Sequence, residues 1–301
     1  MHKPGAERAP RRPDVIEKYD VPADAKLLDT LIALMPQRKK LTVKEFLKHG
    51  QVRLNGTVTT QFDTPVAPGD LVEVNISRQW QTFSNPRLKI VYEDDDIIVV
   101  NKGYGLLSVG TDRVKEGTAY SLLRDYQKRK DPRNMLFVVH RLDQHTSGLM
   151  MFAKNIRAKE TMQHNWNNMV LDRRYAAVVE GSLDTDEGVV NTLLAENSRH
   201  TVYTTDNPEE GKPAVTRWKR VRSRNGYTLL DVSLDTGRKN QIRVHMKELG
   251  HPIAGDKKYG ARTSPIHRLA LHARTLRFIH PVTRADMRFE APLPASFSRL
   301  V

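Results

Sequence analysis

The chain has 301 residues, of which 39% are hydrophobic and 28% charged, which is room for one large domain and a small one with an ordinary soluble surface. Lys and Arg number 49 against 35 for Asp and Glu, a formal net charge of +14, so a polyanion is the expected partner and nucleic acid the first candidate. The lack of cysteine excludes disulfides, thiolate metal sites and a cysteine nucleophile; no apolar run approaches the ~20 residues of a membrane span, and the reading is a cytoplasmic protein with no membrane partner.

Residues 1–14 read as a flexible basic arm, with Lys3, Arg8, Arg11 and Arg12 against Glu7. Contact with RNA and an unused tail are both open for it. Leu27, Leu28, Leu31, Ile32, Leu34 and Met35 then recur at helical spacing, and Pro36 closes that helix. Thr42 and Glu45 have the spacing of a capping box ahead of a second helix, with Val43, Phe46 and Leu47 inward and Gly50 at its end. Val52 and Leu54 alternate with polar residues, Asn55-Gly56 signals a hairpin turn, and Leu71 to Val74 form a closing strand after the Pro68-Gly69-Asp70 turn. Residues 15–76 thus read as a small α+β unit. They resemble the S-four-like RNA-binding domain first described in a ribosomal small-subunit protein. The resemblance rests on Lys26-Leu27-Leu28-Asp29, Arg38-Lys39-Lys40, the run from Lys48 to Gly56, and Pro68-Gly69-Asp70. It implies a basic helix face on RNA phosphates, with Arg38, Lys39, Lys40, Lys44, Lys48 and Arg53 as contacts. A solvated basic surface is the plainer alternative.

Residues 77–87 have no periodicity and read as a linker. From 88 to 301, strand-like and helical runs alternate irregularly, which argues against a parallel doubly wound sheet. Val91 to Val100 read as strand, acidic turn, strand. Residues 118–129 read as a helix with Leu122, Leu123 and Tyr126 inward. Phe137-Val138-Val139 is a buried strand that enters the run His140-Arg141-Leu142-Asp143-Gln144-His145-Thr146-Ser147-Gly148. An acid beside an arginine, on a loop carried by a rigid sheet, is a candidate site. A structural Arg–Asp pair explains the same residues equally well on physics alone.

That run resembles the signature of the RluA family of RNA pseudouridine synthases. Further segments match in the family's order: Glu93 to Lys102 with Gly105-Leu106-Leu107-Ser108, then Arg174-Tyr175 to Gly181. The last are Thr236 to His245 with Gly250 to Gly260, and Arg268 to Ala273. The chain departs from the family at Gly103, where proline is usual, and at Asn240, where histidine is usual. The resemblance implies an α+β catalytic domain on a mixed, largely antiparallel sheet with a central cleft. It implies Asp143 as the essential carboxylate, Arg243 as its ion-pair partner, and Tyr175 as the ring under the uracil. It also implies Arg141 as the side chain that fills the gap left by an extruded uridine. His140, Arg238 and Lys239 are placed with the RNA contacts.

Isomerising uridine needs no redox partner and no group donor, so no cofactor is expected, and no dinucleotide or phosphate-loop motif occurs. A carboxylate can trap the sugar or add to the base, and the sequence does not choose. The histidines at 140, 145, 245, 251, 267, 272 and 280 fit no compact metal motif, so no metal is expected. RNA is the expected partner, ribosomal RNA of the large subunit first and transfer RNA second, and the protein is read as a monomer. The rival reading is a non-catalytic RNA-binding factor in ribosome assembly. Asp143, Tyr175 and Arg243 are all present, which counts against it.

Overall fold

A computed structural model describes residues 14–77, 79–80 and 82–301; apart from Asp14, the basic arm lies outside them. The chain falls into two units, residues up to 83 together with 126–134, and 84–125 together with 135–301. No helix among the described residues is long and apolar enough to cross a membrane.

The first unit contains β1 (Ile16–Asp20), β2 (Ala25–Lys26), α1 (Leu27–Leu34), α2 (Lys40–Lys48), β3 (Val52–Leu54), β4 (Thr57–Thr59), β5 (Pro65–Val66) and β6 (Leu71–Asn75). β1, β6, β3 and β4 pair antiparallel in that order, and Leu27, Leu31, Val43, Leu47 and Val72 are in the shared core. Asn55 and Gly56 both have positive φ, at 49° and 79°, the conformation a tight hairpin turn of this kind demands. The capping box does not form. α2 starts at Lys40 with no side-chain cap on Lys39, so Thr42 already lies inside the helix. The Glu45 carboxylate instead bonds His49 Nε2 at 2.8 Å. The segment read as a linker is partly packed: Trp80 Nε1 donates to the Gln51 carbonyl at 2.9 Å, and the Arg53 guanidinium sits 3.7 Å from the Trp80 ring centre.

The second unit begins with β7 (Leu88–Glu93), β8 (Ile97–Lys102), the first part of α3 (Ala119–Lys130), whose residues from 126 on belong to the first unit, β9 (Phe137–Val138), β10 (Ser147–Ala153), α4 (Ile156–His164) and α5 (Trp166–Met169). It continues with β11 (Val170–Glu180), β12 (Glu187–Glu196), β13 (Val202–Thr205), β14 (Lys212–Arg224), β15 (Tyr227–Leu234), α6 (Gln241–Glu248), a 3-10 turn (Lys257–Tyr259), β16 (Leu271–Ile279), β17 (Asp286–Glu290) and α7 (Ala295–Leu300). Its strands join one sheet in the order β13-β12-β14-β15-β11-β16-β10-β8-β7, with β17 beside β16 and β9 beside β10. The pairing is antiparallel except between β10 and β16, which run parallel through Ser147–His272 and Gly148–Ala273. The architecture is therefore α+β on a mixed, largely antiparallel sheet, as expected. Ile97 to Val100 and Leu149 to Ala153 are all buried, which explains why Ile97 to Val100 read as an unbroken apolar run.

Two glycines of the motifs have steric or hydrogen-bond reasons. At Gly148 a Cβ would lie 2.1 Å from the Ala273 carbonyl oxygen, and φ is +116°, so no other residue lets β10 approach β16 this closely. At Gly103, where the family usually has proline, the amide donates to the Arg87 carbonyl at 2.7 Å, a bond that proline cannot make.

Gly148→Ala is expected to cost about 4 kcal/mol or more, the range reserved for strain and overpacking in a core. Chemical denaturation of the purified variant measures this; a loss below about 1 kcal/mol would show that the two strands separate easily.

Candidate active site

The loop from 139 to 146 is a strand-to-strand connection held from beneath by the loop that follows β8. Ser108 Oγ donates to the Leu142 carbonyl at 2.6 Å and accepts the Leu142 amide at 3.2 Å. The Gly105 amide donates to the Gln144 carbonyl at 3.0 Å, and Gln144 Nε2 donates back to the Gly105 carbonyl at 3.2 Å. Lys102, 0% exposed, donates to the carbonyls of Leu106 at 2.8 Å and of Gly103 and Gln144 at 3.2 Å. Burial pushes the Lys102 ammonium down to about 7, with the Asp143 carboxylate opposing that shift and Arg268 adding to it. The first two sequence motifs are thus one piece of structure, and Asp143 lies on it.

Helix α6 supplies the facing wall. Gln241 Oε1 accepts the Arg238 amide at 2.9 Å and Thr236 Oγ1 at 2.8 Å, so the polar side chain closes the turn that leads into the helix. Arg243, 8% exposed, was expected to pair with Asp143. Its closer partner is Asp256, which accepts from Nε and Nη2 at 2.7 Å each; Nη1 stands 4.0 Å from Asp143 Oδ2. Asn240, the second departure from the family pattern, has φ +54°, accepts Arg243 Nη1 at 3.0 Å and donates to Tyr259 Oη at 3.1 Å. The Arg243 guanidinium also sits 4.9 Å from the Tyr259 ring centre. Burial works against the Arg243 charge, but the Asp256 bonds and the Asp256 and Asp143 charges outweigh it and raise its pKa. The guanidinium is a fixed cation beside Asp143.

Asp143, Tyr175, Arg243, Arg141, Arg238 and Asn240 line one slot of about 70 Å³. Arg141 is exposed. Tyr175 is raised above its ordinary pKa, chiefly by burial, with Arg173 opposing and Asp143 adding, so its phenol is protonated at neutral pH. Arg173 is a cation the sequence reading passed over. It lies two residues before Tyr175, which on a strand places both on one face. Asp256 was missed as well. Its only signal is a carboxylate inside a segment already matched as a motif.

The expected RNA contacts divide. Lys39, Lys40, Lys44 and Lys48 are exposed. Arg38 is committed to Glu17 at 2.7 Å, and Arg53 covers Trp80. Arg238 is exposed and donates through Nε to the Pro213 carbonyl at 3.1 Å, while Lys239 pairs with Glu196. His140 serves the interior: Nε2 accepts the Met151 amide at 3.0 Å, and the ring lies 4.8 Å from that of Trp166. Carboxylate and imidazole atoms of Asp94, Asp96 and His280 lie within 4.8 Å of one another. His280 Nδ1 accepts the Val282 and Thr283 amides, leaving Nε2 as the donor to Asp94 at 2.9 Å, so this trio is a hydrogen-bonded corner.

Residues 96–248 match the family described as RNA pseudouridylate synthase. An uncharacterised RNA pseudouridine synthase of Bacillus subtilis is 36% identical over 266 residues, 86% of this chain and 87% of that one. Ribosomal large subunit pseudouridine synthase D of Haemophilus influenzae is 34% identical over 293 residues, 92% of this chain and 90% of that one. Among solved structures, human RNA pseudouridylate synthase domain containing 1 is 26% identical with a TM-score of 0.54, covering 70% of this chain and 84% of its own. Human RNA pseudouridylate synthase domain containing 4 shares the fold, with a TM-score of 0.58 at 24% identity over 70% of this chain and 91% of its own.

Two buried histidines, His245 and His272, and the partly buried His140 contribute to the acid response. Burial pushes His140 down to about 3, with Arg173 adding, and His245 down to about 4. His272 falls to about 4 through burial, with Arg268 and Arg274 adding and the Pro292 carbonyl opposing. The unfolded chain takes up these protons near pH 6.5 and the folded one only below about 4. The share of stability that these three rings contribute is therefore complete above pH 6.5 and is lost as pH falls toward 4. Across that window the pH slope of unfolding free energy should include about three protons from these rings, and His245→Gln should remove about one. Urea titrations at half-unit pH steps test this; an unchanged slope in the variant would contradict it.

Proposed function

The chain belongs to the RNA pseudouridylate synthase family and is a pseudouridine synthase, and from that premise we propose that it isomerises uridines of large-subunit ribosomal RNA with Asp143 as nucleophile. The observation that carries the assignment of Asp143 is its convergence with Tyr175 and Arg243 on one slot. The reaction breaks the bond between ribose C1′ and uracil N1, turns the base, joins C1′ to C5, and transfers the C5 proton away while N1 gains one. Atoms balance without a co-reactant. Asp143 traps the sugar or adds to the ring, and Arg243, pinned by Asp256, sets the charge beside it. The Tyr175 ring packs against the uracil, and because its phenol is protonated, its hydroxyl can move the C5 proton only as a relay, giving up its own proton as it takes that one. Arg141 enters the stack that the uridine leaves, offsetting part of the few kcal/mol that extrusion costs.

The choice of RNA is supported by the relatives named as large-subunit ribosomal enzymes, 34% identical over 92% of the chain, and by the charge of +14. The first unit acts as an S-four-like grip, with Lys39, Lys40, Lys44 and Lys48 on phosphates. Tethering it to the catalytic unit raises the local concentration of the slot at its RNA.

Mapping pseudouridine across total RNA with and without the protein identifies the target. Positions in large-subunit RNA are expected to disappear; loss confined to transfer RNA would overturn the substrate assignment. On that target, Asp143→Asn should lower turnover by at least about 10³-fold, in the range seen when a nucleophile is removed, with RNA affinity nearly unchanged. Near-normal turnover would falsify the role of Asp143.

Replacing Lys39, Lys40, Lys44 and Lys48 by Gln tests the grip. Binding across a salt series should lose about 0.7–0.9 units of log–log slope for each phosphate contact removed. An unchanged slope would mean that this face is only solvated.

A further inference from the structure

Arg243 lines two openings. One is the slot that holds Asp143. The other is a cleft of about 460 Å³ to which His145, Asp256, Lys257, Lys258, His267 and Arg268 contribute. No motif residue was assigned to a ligand there, and the isomerisation as derived above does not use it.

The charge of this cleft is strongly one-sided. Asp256 is its single lining carboxylate among the described residues, and both its oxygens are occupied by Arg243 at 2.7 Å. It therefore does not neutralise the other cations. Lys257 is exposed and has no partner among the described residues. Lys258 is exposed and donates one bond, to the His200 carbonyl at 3.0 Å, which leaves its charge unbalanced. Arg268 is held in place by Ser147 Oγ at 2.6 Å and by the Tyr104 ring, whose centre lies 4.8 Å from the guanidinium carbon. Tyr104 in turn meets the His145 ring at 5.3 Å. The wall is fixed where the arginine stands and adjustable where the long lysine side chains stand.

We propose that this cleft binds the phosphodiester adjoining the target uridine, through Lys257 and Lys258 against a wall fixed by Arg268 and Tyr104. The inference rests on the isomerase reading, because a uridine in the slot brings its own backbone past Arg243. Lysine suits such a contact, since a compact charge on a flexible stem follows a phosphate without reading the base. The cleft then contributes affinity and register, while sequence choice lies elsewhere.

The test is a thermodynamic cycle. The probe is a stem-loop RNA cut around a uridine that the wild-type protein converts, made with a single neutral methylphosphonate at the linkage 5′ or 3′ to it. The protein variant is Lys257→Gln with Lys258→Gln, checked for unchanged thermal unfolding. Against unmodified RNA its Kd should rise about tenfold, and the slope of log affinity against log salt should fall by about 0.7–0.9 for the one phosphate no longer neutralised. The loss should fall on KM rather than kcat, and Lys257→Arg with Lys258→Arg should restore binding. One of the two methylphosphonates should weaken the wild type and leave the Gln variant nearly unaffected. Additive losses at both linkages, an unchanged salt slope, or a fall in kcat with KM unchanged would overturn the proposal while the isomerase reading stands. If the wild type converts no uridine in any RNA, the isomerase reading itself fails, and the cleft assignment with it.

Discussion

Taking the Lys102 ammonium out of water costs several kcal/mol unless polar groups replace the hydration. Three carbonyls do so, from Gly103, Leu106 and Gln144. Two belong to the turn after β8 and one to the loop that carries Asp143. The charge can be satisfied only when both loops are in place, so its burial couples them. Ser108 and Gly105 add neutral bonds along the same seam. The position of Asp143 follows from that coupling, since its own loop has no helix or strand to hold it.

Across the slot, the corresponding device is a pair of carboxylates sharing one arginine unequally. Asp256 takes the two-pronged contact with Arg243 and Asp143 stands 4.0 Å away. A guanidinium fully engaged by Asp143 would tie that carboxylate up and close the slot between them. Held by Asp256, Asn240 and Tyr259, it presents charge without closing the site, as pre-organised electrostatic sites require. Asn240 shows how a departure from a family pattern can be absorbed, because its amide serves Arg243 and Tyr259 together.

The strand from Ile97 to Val100 was legible because its apolar run is uninterrupted. So were the α1 helix and the Asn55-Gly56 turn, where local chemistry decides the backbone. The start of α2 was misjudged, since a capping-box spacing competes with the Glu45–His49 bond, and only the folded helix decides between them. Asp143, Tyr175 and Arg243 were readable only through resemblance; periodicity alone left an Arg–Asp pair undecided. Asp256 and Arg173 were missed for a common reason. Their importance arises from neighbours brought together by the sheet, and nothing local to their segments marks it. Arg38 and Arg53 show the converse, since basic residues in a matching pattern turned out to be engaged by Glu17 and Trp80.

The single parallel junction in the large sheet has a temporal consequence. Ser147 Oγ meets His272 Nδ1 at 2.8 Å across 125 residues of sequence, and β10 reaches β16 only there and at Gly148–Ala273. During synthesis, the Asp143 loop emerges long before the strand that closes its flank. Closing so long a loop carries a large entropic cost, and parallel pairing is slow to form. A chain still attached to a ribosome therefore carries all of its basic N-terminal surface and no finished slot. The slot around Asp143 is complete only after the last strands have left the tunnel.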